Sequence, residues 1–231
     1  MDPRPAAAHD AVSIRLSTPG AATSWGDSLR ATLAADPRVL DAVSPPDHKE
    51  FDPEGFLRSN GTLYLLATGA GSNNSAALVS ACIEDLVETA RRIAARSASA
   101  RPDPPVMLAL DEIGNLAPLP SLPTLMADGG GTGTTTMPVL QSLAQACTKW
   151  SDNAAGTILD SSIVRIVLGG GFNSRDPHDL STLIGDRGSR SSQRALRQDP
   201  IMPPDTIRTL PFRTALIMLR AAPPIIARLQ M

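Results

Sequence analysis

The sequence predicts an α/β fold in which a parallel sheet is flanked by helices. Short, continuously apolar segments alternate with helical segments along the chain, and such segments are typical of parallel strands covered on both faces. Hydrophobic residues make up 42% of the 231 residues and charged residues 19%, so the chain has the material for a real core. Aromatic residues are only 3%, so we expect aliphatic side chains to fill that core.

The first part of the chain, residues 1–50, is rich in Ala, Pro, Ser and Asp. Helices are predicted over residues 25–35 and 38–43, but neither shows strong apolar periodicity. We interpret residues 1–50 as a loosely packed remnant or partner-facing segment, with a boundary at 44–46 (Ser-Pro-Pro).

The second part, residues 51–231, carries the predicted sheet. The apolar run TLYLLA at 62–67 is predicted as a buried strand. Asn74 or Ser75 is predicted to cap a helix that ends near Arg96, because the apolar residues of this segment recur at helical spacing. Further strands are predicted over 106–110, 134–140, 163–168 and 214–219, and further helices over 121–128, 141–150, 152–160 and 177–184. Residues 129–133 are predicted as a Gly/Thr turn, and the polar residues 186–199 as a loop.

Composition excludes several classes of protein. The net charge of −2 gives no overall electrostatic argument for a nucleic-acid partner. Two distant cysteines and three scattered histidines argue against a zinc site and against a disulfide framework. The long uncharged stretches contain polar loop residues at their centres, so we expect a soluble, cytoplasmic chain.

Two acidic residues directly after a buried strand are the sharpest chemical signal. Asp111 and Glu112 follow the apolar run VMLAL, and ligands of open α/β sheets bind at the carboxyl ends of strands. In nucleotide motors the first acid holds Mg²⁺, usually through water, and the second orients or deprotonates the attacking water. Gln141 follows the next strand and is a candidate sensor of a γ-phosphate. Alternatively, the acids are a solvated strand end and Gln141 is a helix-terminal residue without a ligand.

Several sequence blocks together resemble the TraG/TraD-type coupling proteins, the DNA-pumping ATPases of conjugation and type IV secretion. The blocks, in order, are FDPEGFL (51–57), GTLYLL (61–66), LALDEIGNLAPLPSLPTLMADGGGTG (108–133), VLQSLAQ (139–145), LSTLIGDR (180–187) and TLPFRTALIMLRAAPPI (209–225). The resemblance implies that residues 51–231 are the carboxyl-terminal part of a RecA-like motor domain of the P-loop NTPase class. By position, Asp111 matches the Mg²⁺-holding, nucleotide-binding acid, Glu112 the catalytic acid and Gln141 the catalytic sensor.

The resemblance also implies cofactors, partners and location. ATP and Mg²⁺ are the cofactors of the family, and its partners are DNA with the relaxase complex and the type IV secretion apparatus. The family forms hexameric rings at the cytoplasmic face of the bacterial inner membrane, with an anchor on a preceding segment.

The chain departs from the family pattern in its phosphate-binding and arginine positions. It contains no GxxxxGK[ST] loop, and its only lysines are Lys49 and Lys149. The glycine-rich segment 69–75 superficially suits phosphate, but a tight strand-to-helix connection is the alternative. Residues 129–133 are Gly and Thr where the family often has arginines. A basic cluster further on either contacts DNA phosphates or is a solvated loop; it comprises Arg187, Arg190, Arg194 and Arg197.

Three hypotheses about function remain open from the sequence. The first is a conjugative coupling ATPase, in a truncated form that lacks the phosphate-binding loop. The second is a non-catalytic substrate-recognition or oligomerisation module of the same family. The third is an unrelated Mg²⁺-dependent hydrolase that uses Asp111 and Glu112.

Overall fold

A computed structural model describes residues 51–66, 73–170, 176–190 and 196–230. The helices and the boundary predicted within residues 1–50, and the glycines at 69 and 71, lie outside these ranges. The chain divides into two compact units. One contains the described residues up to Leu108 with Asn115–Leu119 and Gly130–Thr135, and the other contains Ala109–Gly114, Pro120–Gly129 and the residues from Thr136 onward.

Two helices occupy the beginning of the described chain. Helix α1 spans Pro53–Arg58 and is capped by Asp52, whose carboxylate accepts the backbone N–H of Glu54 at 3.1 Å. Helix α2 spans Asn73–Arg96, which confirms the helix predicted from its periodicity. Its buried face includes Cys82, Leu86 and Ala90. Burial raises the pKa of the Cys82 thiol to about 11, so this cysteine is no nucleophile at neutral pH.

The prediction of a strand over residues 62–67 is wrong for residues 62–66, the part of this segment that the structure describes. Residues 61–66 form no ladder, and the side chains of Tyr64 and Leu66 are 80% and 92% exposed. An apolar run becomes a strand only when a neighbouring strand accepts its backbone hydrogen bonds. The part of the chain that the structure describes supplies no such neighbour here.

A parallel pair of strands follows. Strand β1 spans Val106–Leu110 and strand β2 spans Thr134–Pro138. The N–H of Val106 donates to Gly133 O at 3.0 Å, and the N–H of Val139 donates to Leu110 O at 2.9 Å. Because the two starts pair with each other and the two ends pair with each other, β1 and β2 run in the same direction.

Two helices connect β1 to β2, as a parallel crossover requires. Helix α3 spans Ile113–Leu116 and helix α4 spans Leu122–Thr132. Helix α4 therefore continues through three glycines that the sequence predicts as a turn, and Gly129 lies on its buried face with Leu122 and Leu125. The chain turns one position later, at Gly133, whose φ of +75° favours glycine.

The remaining chain contains four helices and five strands within the described residues. In chain order these are α5 (Leu143–Trp150), α6 (Asp152–Ser161), β3 (Val164–Leu168), α7 (Asp176–Ile184), β4 (Asp186–Arg190), β5 (Leu196–Pro200), α8 (Pro204–Arg208), β6 (Thr214–Leu219) and β7 (Ala222–Arg228). Helices α5, α6 and α7 confirm their predictions to within two residues at each end.

Strands β3, β6 and β7 form an antiparallel sheet in the order β3-β6-β7. One face packs on a core of Leu180, Met202, Ile207 and Leu216. The other face carries aliphatic side chains of β3 that are 48–57% exposed, namely Val164, Ile166 and Leu168. The α/β class with flanking helices is confirmed, whereas parallel pairing holds for β1 and β2 and not for this sheet.

Two further predictions are wrong in the last third of the chain. Within residues 186–199, predicted as a loop, β4 and β5 pair antiparallel, with Arg187 opposite Asp199 and Arg190 opposite Leu196. The sequence predicts β6 as the last strand, but β7 follows it and pairs with it. Strand β7 is not predicted because it contains Pro223 and Pro224, and proline lacks the N–H that donates a hydrogen bond in a ladder. Proline is tolerated at the edge of a sheet, and β7 is an edge strand.

Candidate functional site

The acidic turn, Asp111 and Glu112, lies at the carboxyl end of β1. Leu110 before it and Ile113 after it are buried, while both acidic residues are exposed. The two apolar neighbours fix the ends of a two-residue turn, so the carboxylates remain in water. Glu112 has a φ of +48°, in the left-handed region that side chains disfavour, and such backbone strain is concentrated at functional sites.

The Gln141 loop, residues 139–142, lies at the carboxyl end of β2. The hydrogen bond from Val139 N–H to Leu110 O brings the start of this loop to the end of β1. Gln141 is exposed, and Ser142 then caps α5 by accepting the N–H of Gln145 at 3.1 Å. Asp176, only 4% exposed, accepts the N–H of Leu143 at 3.2 Å and so ties the start of α5 to α7.

Gln145 and Gly114 connect the Gln141 loop to the helix that follows the acidic turn, and neither residue is predicted as a site residue from the sequence. The side-chain oxygen Oε1 of Gln145 accepts the N–H of Gln141 at 3.1 Å. A Cβ placed on Gly114 would lie 2.9 Å from Cδ and Oε1 of Gln145. The S-x-x-Q spacing of Ser142 and Gln145 is a helix-capping signal in the sequence, but it does not reveal the contact with Gly114.

Three of the four arginines of the predicted basic cluster lie in a separate antiparallel pair of strands. The backbone of Arg187 and Arg190 lies in β4 and that of Arg197 in β5, while Arg194 lies outside the described residues. Gly130 and Gly131 of α4, in the segment where the family often carries arginines, have open space where a Cβ would be.

A family profile matches the central part of the chain. Residues 105–212, which contain the acidic turn and the Gln141 loop, match the family described as the TraM recognition site of TraD and TraG. The matched residues are therefore similar to the carboxyl-terminal region of TraG/TraD-type coupling proteins. No curated protein sequence matches the chain.

Solved structures of coupling proteins share the fold of this chain. The bacterial conjugative coupling protein TrwBdeltaN70, in an unbound monoclinic form, is 24% identical, with a TM-score of 0.66 over 91% of this chain and 50% of that one. The plasmid coupling protein TrwB in complex with the GTP analogue GDPNP is 21% identical, with a TM-score of 0.67 over 91% and 51%. TrwB with ADP and Mg²⁺ is 20% identical, with a TM-score of 0.60 over 91% and 50%.

These matches establish the RecA-like α/β fold, and the chain spans about half the length of the coupling-protein structures that it matches. Among the described residues, no helix has the length and apolar character to cross a membrane.

The residues at the β1–β2 edge fit Mg²⁺ better than they fit a triphosphate. Exposed carboxylate and amide oxygens are the ligands that Mg²⁺ prefers, and Mg²⁺ usually keeps several waters beside one or two carboxylates and substrate phosphates. No group of three or more His, Cys, Asp or Glu is positioned for a metal within the described ranges. A triphosphate also needs a lysine and a cradle of backbone N–H groups, and the sequence has no GxxxxGK[ST] loop to supply them.

Proposed function

We propose that this chain is the carboxyl-terminal part of the motor domain of a conjugative DNA-transfer coupling ATPase. The observation that carries the proposal is the joining of the acidic turn to the Gln141 loop at one sheet edge, inside the region that matches the family. Asp111 holds Mg²⁺ through water, Glu112 acts as the catalytic acid–base group, and Gln141 senses the γ-phosphate. The complexes of TrwB with GDPNP and with ADP and Mg²⁺ support this assignment by analogy.

The proposal extends to the partners of the family. In a complete coupling protein the chain is part of one subunit of a hexameric ring at the inner membrane, and DNA, the relaxase complex and the type IV secretion apparatus are the partners of that ring. Arg187, Arg190, Arg194 and Arg197 are the candidate contacts with DNA phosphates.

The role of Asp111 is tested by nucleotide binding to the purified chain. We expect weak binding of a fluorescent ATP analogue that requires Mg²⁺, and about tenfold weaker binding in Asp111→Asn, since a contact of a charged group contributes about 1.5–3 kcal/mol. The matched control is Asp160→Asn, because the Asp160 side chain is 87% exposed at the end of α6. Equal Mg²⁺-dependent binding by wild type and Asp111→Asn would contradict the proposal.

A second candidate function is a non-catalytic recognition module. The description of the matching family as a TraM recognition site favours it, as does the missing phosphate-binding loop. In that case the chain binds a TraM-type protein of the same conjugative element without binding Mg²⁺–nucleotide. Pull-down with that purified protein, alongside the nucleotide titration, separates the two functions.

A further inference from the structure

One glutamine lies between the Gln141 loop and the helix that follows the acidic turn. Gln145 lies in the first turn of α5, and the end of its side chain lies beside Gly114 of α3. Its Cγ lies 3.3 Å, and its Cδ and Oε1 lie 2.9 Å, from the position that a Cβ on Gly114 would take. Gly114 is buried in α3, two residues after Glu112. A side chain at position 114 would therefore displace the end of the Gln145 side chain.

The hydrogen bond of Gln145 differs from an ordinary helix cap. In a capping box the third helical residue accepts the N–H of the N-cap residue, which here is Ser142. Gln145 Oε1 instead accepts the N–H of Gln141, one residue earlier, at 3.1 Å. The bond therefore fixes the backbone of the proposed sensor residue.

Two more bonds hold the same segment. Ser142 Oγ accepts the N–H of Gln145, and the buried carboxylate of Asp176 accepts the N–H of Leu143. The backbone N–H groups of Gln141, Leu143 and Gln145 are thus each bonded to a side chain, while the end of the Gln145 side chain also lies beside Gly114.

We propose that Gln145 is a positioning residue that couples the acidic turn to Gln141. A movement of the acidic turn that displaces Gly114, two residues after Glu112, moves the Gln145 side chain, and this releases the backbone of Gln141. The mechanical coupling stands on the geometry alone, whereas its use in reading nucleotide state rests on the proposed function above.

The test is amide hydrogen exchange and amide chemical shift of Gln141, measured by NMR on the full chain without nucleotide. Gln145→Met keeps the length of the side chain but removes the acceptor, so we expect exchange at Gln141 to accelerate about 3- to 10-fold, the range of one net hydrogen bond. Gln145→Glu keeps an acceptor at the same reach, and we expect it to retain the protection. Amides of β3 and β6 should be unchanged, which separates positioning from a general loss of stability.

Gly114→Ala is the decisive variant, because it makes no bond with Gln141 yet forces the Gln145 side chain to move. We expect it to accelerate exchange at Gln141 as Gln145→Met does. Gly156→Ala is the matched control, since a Cβ there meets nothing within 4 Å, and it should leave Gln141 unchanged. Wild-type exchange at Gln141 in Gly114→Ala, or loss of protection in Gln145→Glu, overturns the proposal.

These outcomes are independent of nucleotide binding. If exchange at Gln141 accelerates in Gln145→Met and Gly114→Ala but no Mg²⁺-dependent nucleotide binding is found, the proposed function is refuted and the positioning role stands. Normal Mg²⁺–nucleotide binding with unchanged exchange in Gly114→Ala would refute the positioning role alone.

Discussion

At the residue scale, the backbone of Glu112 shows how the site differs from an ordinary strand end. A left-handed conformation costs an L-residue about 1–2 kcal/mol, and five non-glycine residues of the described chain have positive φ. Glu112 is the one of these five that belongs to the acidic turn, between the buried side chains of Leu110 and Ile113. Packing on both sides holds the turn in this conformation, which places stored strain beside the proposed Mg²⁺ ligand.

Glu112→Gly should relieve that strain. Glycine adopts positive φ without steric cost, so we expect the free energy of unfolding to rise by about 0.5–1 kcal/mol, less than the full strain because glycine gains entropy in the unfolded chain. Glu88→Gly is the control: Glu88 is exposed in the middle of α2, where glycine should lower the free energy of unfolding by about 1 kcal/mol. Urea denaturation measures both. A destabilised Glu112→Gly would show that the turn is unstrained.

At the element scale, apolar periodicity is sufficient to predict a helix or strand that buries a regular apolar face. The apolar spacing of α2 and the run before Asp111 predict α2 and β1, because both bury a regular apolar face. Periodicity does not predict a strand correctly where the strand depends on a partner strand elsewhere in the chain. The run containing Tyr64 and Leu66 is apolar enough for a strand but has no ladder partner in the described chain, whereas the polar β4 and β5 form a ladder with each other.

The end of α7 offers a sharp test of an element boundary. Gly185 has a φ of +90°, and its N–H donates to Ser181 O at 3.1 Å, so it ends α7 in a conformation that favours glycine. Gly185→Ala should lower the free energy of unfolding by about 1–2 kcal/mol through backbone strain alone, since nothing lies within 4 Å of an added Cβ.

Gly156→Ala is again the matched control, because Gly156 lies within α6 with similar open space. There alanine should raise the free energy of unfolding by up to about 1 kcal/mol. Thermal or urea denaturation should therefore show opposite signs for the two Gly→Ala substitutions, and equal signs would contradict the assignment of Gly185 as the helix stop.

At the scale of the whole molecule, the candidate site lies within residues 111–145, and only part of it is predictable from the sequence. Asp111, Glu112 and Gln141 are predicted as site residues because they follow strands, and parallel strands bring their carboxyl ends to one edge. Gln145 and Gly114 are missed, because the contact between α3 and α5 is tertiary and leaves no periodic signal. The triphosphate cradle is the part of a motor site that this sequence does not supply.

The missing phosphate-binding loop should prevent catalysis by the chain on its own. The purified chain should not hydrolyse ATP at a motor-like rate, because the β- and γ-phosphate oxygens need a lysine and a cradle of backbone N–H groups, and Mg²⁺ needs a Ser or Thr hydroxyl from the same loop. Asp111 and Glu112 alone present two like charges to a highly anionic triphosphate, which they repel unless Mg²⁺ lies between them. Phosphate release should therefore stay near the background of the Glu112→Gln variant, with Glu88→Gln as the matched exposed control. Turnover near about 1 s⁻¹, within the ordinary enzyme range, that disappears in Glu112→Gln and persists in Glu88→Gln would contradict the prediction and would require another group to replace the missing lysine.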